Sequence, residues 1–108
     1  MMELTPEQIA VLERLHGRGF ALVAFPLYAS KVGVRKGDCA ALLDPVPGGL
    51  RAFGEPCYLV DGNLSVQVTQ GGAKAFVWKT TRLGATPERL AELQAFREEL
   101  EELLMASA

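Results

Sequence analysis

The sequence predicts an α+β fold: a curved, mainly antiparallel sheet of five to six strands, with an N-terminal and a C-terminal helix packed on one face, in a single domain over residues 1–108. Three observations predict it. Residues 56–83 read as three antiparallel strands joined by two tight turns. An amphipathic helical pattern opens the chain and another closes it. Between them lie short apolar runs separated by glycine and proline turn signals. A chain of 108 residues is near the commonest domain size and can bury a core without disulfide or metal staples.

The first helix begins at Thr5, with Pro6 at the first helical position, where its missing N–H costs nothing. Gln8 completes a capping box, and Leu4 is placed to staple onto Ile9. Ile9, Leu12 and Leu15, helped by Val11, form the expected buried stripe. Gly17 and Gly19 end the helix. His16, the only histidine, lies in the last turn, where an imidazolium suits the helix dipole.

Phe20 to Phe25 is a continuous apolar run with Pro26 behind it, which predicts a buried central strand. Residues 26–31 are irregular. Val32–Lys36 and Cys39–Leu43 flank a Gly37-Asp38 turn and predict a hairpin. Asp44 to Gly49 combines two prolines with two glycines and predicts a surface loop. Leu50–Phe53 makes a short strand, and Pro56 places the following segment at an edge or corner.

Asp61-Gly62, between Cys57–Val60 and the alternating Asn63–Thr69, is a strong hairpin signal. Leu64, Val66 and Val68 share one face of that strand. Gly71-Gly72 makes the next turn, and Ala73 to Thr81 reads as the third strand. Its alternation puts Phe76 and Trp78 on one face, with Lys74, Thr80 and Arg82. Thr86 and Pro87 open the last helix with the device used at Thr5 and Pro6. Leu90, Leu93, Phe96, Leu100, Leu103 and Leu104 form its apolar stripe, opposite a glutamate-rich side.

The net charge of −2 is unevenly spread. Residues 84–108 carry −4, residues 1–13 carry −3, and residues 14–83 hold nine Lys and Arg against four acids. The acidic ends read as solvated helix faces. No apolar run reaches the roughly 20 residues of a membrane helix, and the acidic opening is unlike a signal peptide. A cytoplasmic location is therefore expected, with Cys39 and Cys57 reduced. One His and two Cys fall short of a structural zinc pattern. No metal site, cofactor or catalytic residue is predicted. Cys39 lacks an assured histidine base and reads as a small buried hydrophobe.

Three function classes remain. The first is a small binding or interaction module without catalytic activity, using an open sheet face or the last helix. Surplus apolar surface on that helix, Met105 included, suits a homo-oligomer. The second is a small-ligand or anion site, possible as an enzyme, built on Ser30–Gly37, where hydroxyl, glycine and three cations fall together. Its candidate ligand-binding residues are Tyr28, Lys31, Arg35, Lys36 and Trp78. That segment is neither a Walker loop nor a dinucleotide fingerprint. The third is a single-stranded nucleic-acid binder, with Phe76 and Trp78 as a stacking platform beside Lys74 and Arg82. The acidic chain and the absence of RNA-binding signature motifs weigh against it.

Overall fold

The computed structural model describes residues 3–25, 28 and 30–105, without the side chains of Gln70 and Met105. Helix α1 spans Pro6–Gly17 and helix α2 spans Pro87–Met105. Between them run β1 (Ala21–Val23), β2 (Val32–Lys36), β3 (Cys39–Val46), β4 (Gly49–Val60), β5 (Asn63–Leu64), β6 (Val66–Gln70), β7 (Ala73–Trp78) and β8 (Thr81–Gly84). All pairings are antiparallel. They give a curled five-stranded sheet in the order β1-β2-β3-β4-β5 and a three-stranded sheet in the order β6-β7-β8. The α+β arrangement is as the sequence predicts, but eight strands divide into two sheets rather than five or six forming one.

The core lies on one face of the larger sheet. Val32, Val34, Cys39, Ala41, Leu43 and Tyr58 supply the strand side. Val11 and Leu15 of α1, Phe96, Leu100 and Leu103 of α2, and Phe76 of the second sheet cover it. Both helices therefore sit on the same face. Leu90, Leu93 and Leu104 also pack against this core, so the apolar stripe of α2 is covered within the chain. The side chain of Met105, which the oligomer expectation invoked, lies outside the described residues.

The division into two sheets has a local cause. Leu59 and Val60 pair with Leu64 and Asn63, and then the ladder stops. Farther back along β4, Gly54 has φ +69 and Pro56 lacks an N–H, so this stretch cannot continue a regular ladder. Ser65 fills the corner: it is buried, and its hydroxyl donates to the Tyr58 carbonyl at 2.5 Å. The chain turns away there and starts the second sheet at Val66.

Four expectations are corrected. Asp44–Val46 is strand, not loop, and pairs with Gly49–Arg51. Pro45 is tolerated because β2 begins opposite Leu43, so among the described residues no strand pairs with β3 at Pro45 on that side. The strand read through Thr81 turns at Lys79, whose φ is +54, and returns as β8. No glycine or proline marks that turn. In α1, Gln8, Val11 and Leu15 are the buried residues, while Ile9 is 44 % exposed. Gln8 sets this rotation: its side chain accepts from the Thr5 N–H at 2.8 Å and donates to the Val46 carbonyl at 2.9 Å. Finally, the Phe20–Phe25 run is not a central strand. It holds a three-residue edge strand, with Leu22 65 % exposed. Of the irregular segment 26–31, Pro26, Leu27 and Ala29 lie outside the described residues.

Candidate interaction groove

β1 reaches the sheet edge through a tight approach. Gly33 of β2 faces Val23, and a Cβ built on Gly33 would lie 2.3 Å from the Val23 carbonyl oxygen and 2.7 Å from the Phe25 ring. Only hydrogen fits there, so glycine lets the Val23–Phe25 backbone settle on β2. The register puts Leu22 opposite Val34, whose side chain is in the core. Directly paired residues of antiparallel strands share a face. Leu22 therefore stands on the helix-covered face of the sheet, yet α1 does not cover it.

The result is a groove of about 440 Å³ between α1 and β1. Leu4, Ile9 and Leu12 form the helix wall, and Phe20, Leu22 and Val34 form the sheet side. Glu13 and His16, both exposed, add polar groups. Two of the most exposed large apolar side chains of the described residues, Ile9 and Leu22, meet here. Among the described residues β1 pairs only with β2, so its far edge presents unpaired backbone N–H and C=O groups. Ala21–Val23 carries no charge, proline or bulge, the usual devices that protect an exposed strand edge.

The sequence-predicted ligand residues are distributed differently. Tyr28 and Lys31 adjoin through a Lys31 N–H bond to the Tyr28 carbonyl at 2.9 Å. The Lys31 ammonium binds Asp44 at 3.1 Å and lies 4.4 Å from the Phe53 ring centre. Arg35 folds its guanidinium onto the Gly37 carbonyl of its own turn, at 2.8 and 3.2 Å. Lys36 points to the opposite face, onto Glu99 of α2 at 2.6 Å. Arg18 joins that carboxylate at 3.1 Å. Trp78 belongs to the second sheet and packs against the core beside Phe76, which is 1 % exposed. Tyr28 and Lys31 are thus together, whereas Lys36 and Trp78 are elsewhere.

The cysteines occupy opposite faces of neighbouring strands. Cys39 pairs with Tyr58, and Cys57 pairs with Ala40. Burial pushes the Cys39 thiol up to about 12, with Glu92 and Asp38 adding repulsion. Its Sγ lies 3.9 Å from Glu92 Oε1, while Lys36, its cross-strand partner, is engaged by Glu99. Such a thiol is a poor nucleophile at neutral pH. Burial also raises Cys57, which lines a second cleft of about 530 Å³ between β4, β6 and α2. Glu55 and Arg97, on that cleft's walls, form an ion pair.

Sequence reading missed Ile9 and Leu22 as surface residues because apolar residues at helical spacing and in a continuous run both read as core, whereas Leu12, half-buried against the core, also borders the groove. Comparison of the chain with known protein families, with curated proteins and with solved structures gave no match. The geometry alone therefore carries the functional argument.

Proposed function

We propose that this chain is a non-catalytic binding module that takes an extended polypeptide segment into the groove between α1 and β1. The observation that carries the reading is the combination, on one edge, of a strand whose outer side has no partner among the described residues and an apolar groove beside it. An added strand satisfies the backbone groups of β1, and its alternate side chains fall into the groove beside Leu22. Main-chain bonds then supply register and the groove supplies selectivity. A short apolar segment fits better than a small polar ligand, since most of the lining is apolar.

The expected affinity is modest. Covering the exposed parts of Ile9 and Leu22 returns roughly 1–2 kcal/mol each. Each strand hydrogen bond adds a net contribution of about 0.5–1.5 kcal/mol. Association and ordering costs leave a binding constant in the roughly micromolar range.

Selection from a random displayed-peptide library tests the reading. The wild-type protein should enrich peptides with apolar residues at alternate positions, and the Leu22→Asp variant should not retain them. Failure to enrich any sequence, or equal enrichment by both proteins, would overturn it. Anion and single-strand nucleic-acid binding have less support: Lys31 and Lys36 are held by carboxylates, and Phe76 is buried.

A further inference from the structure

We propose that the polypeptide taken into this groove is basic: an extended segment with an apolar residue and a Lys or Arg two positions apart, whose cationic head pairs with Glu13. The proposal rests on the groove reading above and names the class of partner. Among the described residues, Glu13 is the one Asp, Glu, Lys or Arg side chain on the lining, and it is exposed and outside every ion pair. The neighbouring cations are engaged elsewhere. Arg14 donates to the Leu103 carbonyl of α2 at 3.4 Å. Arg18 and Lys36 share the Glu99 carboxylate, at 3.1 and 2.6 Å. Arg35 is folded onto its own turn. The groove also reaches the last turn of α1 at His16, where the helix dipole leaves partial negative charge.

The spacing of the groove sets the spacing of the partner. Ile9 and Glu13 both border it, one helical turn and about 6 Å apart along α1. Two residues of an extended strand advance about 7 Å. In a segment paired with β1, the side chains that share the face of Leu22 point into the groove, and they come from alternate residues. One therefore meets Ile9 and Leu22, and the next reaches Glu13. Lys and Arg suit the second place because their aliphatic stems lie along apolar side chains such as Leu12 while the charged head meets the carboxylate. An acidic residue there would face Glu13 and be disfavoured. β6, another uncharged edge strand, borders a cleft whose Arg97 and Glu55 pair with one another, so it carries no comparable bias.

Selection from a random displayed-peptide library at about pH 8, above the histidine range, tests this with the wild type, Glu13→Gln, Glu13→Lys and Leu22→Asp. The wild type should enrich peptides with Lys or Arg two positions from an apolar residue, and Glu13→Lys should favour Asp or Glu there instead. The wild-type consensus peptide, titrated by fluorescence anisotropy, should bind about threefold more weakly to Glu13→Gln and about tenfold more weakly to Glu13→Lys. These differences should shrink as salt is raised. Glu7→Gln changes an exposed acid of α1 outside the groove and should leave binding unchanged. Circular dichroism checks that the variants remain folded. An apolar consensus without a basic position, or the same basic preference from Glu13→Lys, would overturn the proposal and leave the groove reading standing. Failure to enrich any sequence, or equal enrichment by Leu22→Asp, would sink both.

Discussion

Tyr58 of β4 and Phe76 of β7 stack with ring centres 5.0 Å apart and 13° between their planes, and this pair joins the two sheets. It lies at the corner where Ser65 ends the β4–β5 ladder. Both rings are buried, so the contact combines apolar burial with an aromatic pair worth about 0.5–1.5 kcal/mol beyond area.

Truncating this contact should loosen the second sheet first. Phe76→Ala is expected to cost about 3–5 kcal/mol, and Phe76→Leu clearly less. Ser65→Ala removes the hydroxyl donor to the Tyr58 carbonyl and should cost roughly 1 kcal/mol. Urea unfolding gives the magnitudes. Amide exchange should show β6–β8 losing protection before β3 and β4.

Gly33 controls the seat of β1. Alanine there would place its methyl carbon 2.3 Å from the Val23 oxygen, a backbone atom that cannot swing aside. Gly33→Ala should therefore destabilise the fold by roughly 2 kcal/mol or more and detach Ala21–Val23 from the sheet. Thermal unfolding and amide exchange at those residues check it. Unchanged protection of β1 would contradict the packing described above.

Glu99 ties α2 to the β2 turn and to the end of α1. The hydrogen bond from Lys36 holds its carboxyl below the usual glutamate range, against partial burial, and Arg18 adds to the effect. A lowered pKa means that the folded state favours the carboxylate. This contribution is present above the ordinary glutamate pKa near 4.5 and is lost as pH falls below it. Glu99→Gln should cost about 0.5–1.5 kcal/mol at pH 7. It should also flatten the acid limb of the stability profile, measured by urea unfolding at successive pH values.

Cys39 should behave oppositely at the alkaline end. Its thiol is raised from 9.0 to about 12, so the folded state favours the neutral form. That stability is complete below pH 9 and is lost as pH rises toward 12. A colorimetric thiol titration at mildly alkaline pH should find the more accessible Cys57 reacting first, and Cys39 reacting only as the protein unfolds. The two should form no disulfide within one chain under oxidation, because they point from opposite faces of β3 and β4. Rapid reaction of Cys39 in the folded protein would contradict this placement.

Much of the fold was legible because its signals are local. Thr5 and Thr86 cap their helices as read, the latter through the Arg89 N–H at 3.2 Å. Asp61 and Gly62 both take positive φ in the turn that their identity announced. The sequence also showed Phe76 and Trp78 sharing a face, though not that this face meets the core.

What escaped depends on distant partners. The inward turn of Gln8 depends on the Val46 carbonyl, 38 residues away, and that bond is why Ile9 faces solvent. Val66 shares the alternation of a half-buried strand, yet it lies on the face opposite Phe76 and is itself 65 % exposed. The period of two identifies two faces but not which of them is inside. The cations of residues 31–36 read as one basic segment. Strand alternation then separates Lys36 from Lys31 and Arg35, and each finds its own acceptor. The groove was hidden for the same reason: nothing within Phe20–Phe25 says that only one neighbouring strand will pair with it.

The central claim is that the chain binds polypeptide through the α1–β1 groove. Nitrogen-15 amide shift mapping during titration with the best library-selected peptide tests it most directly. The account predicts that the perturbed amides cluster at Ile9, Leu12 and Ala21–Ala24, with β3, β4 and α2 largely unmoved. Shifts centred instead on Val66 and Val68, on α2, or on Lys31 and Arg35 would contradict it.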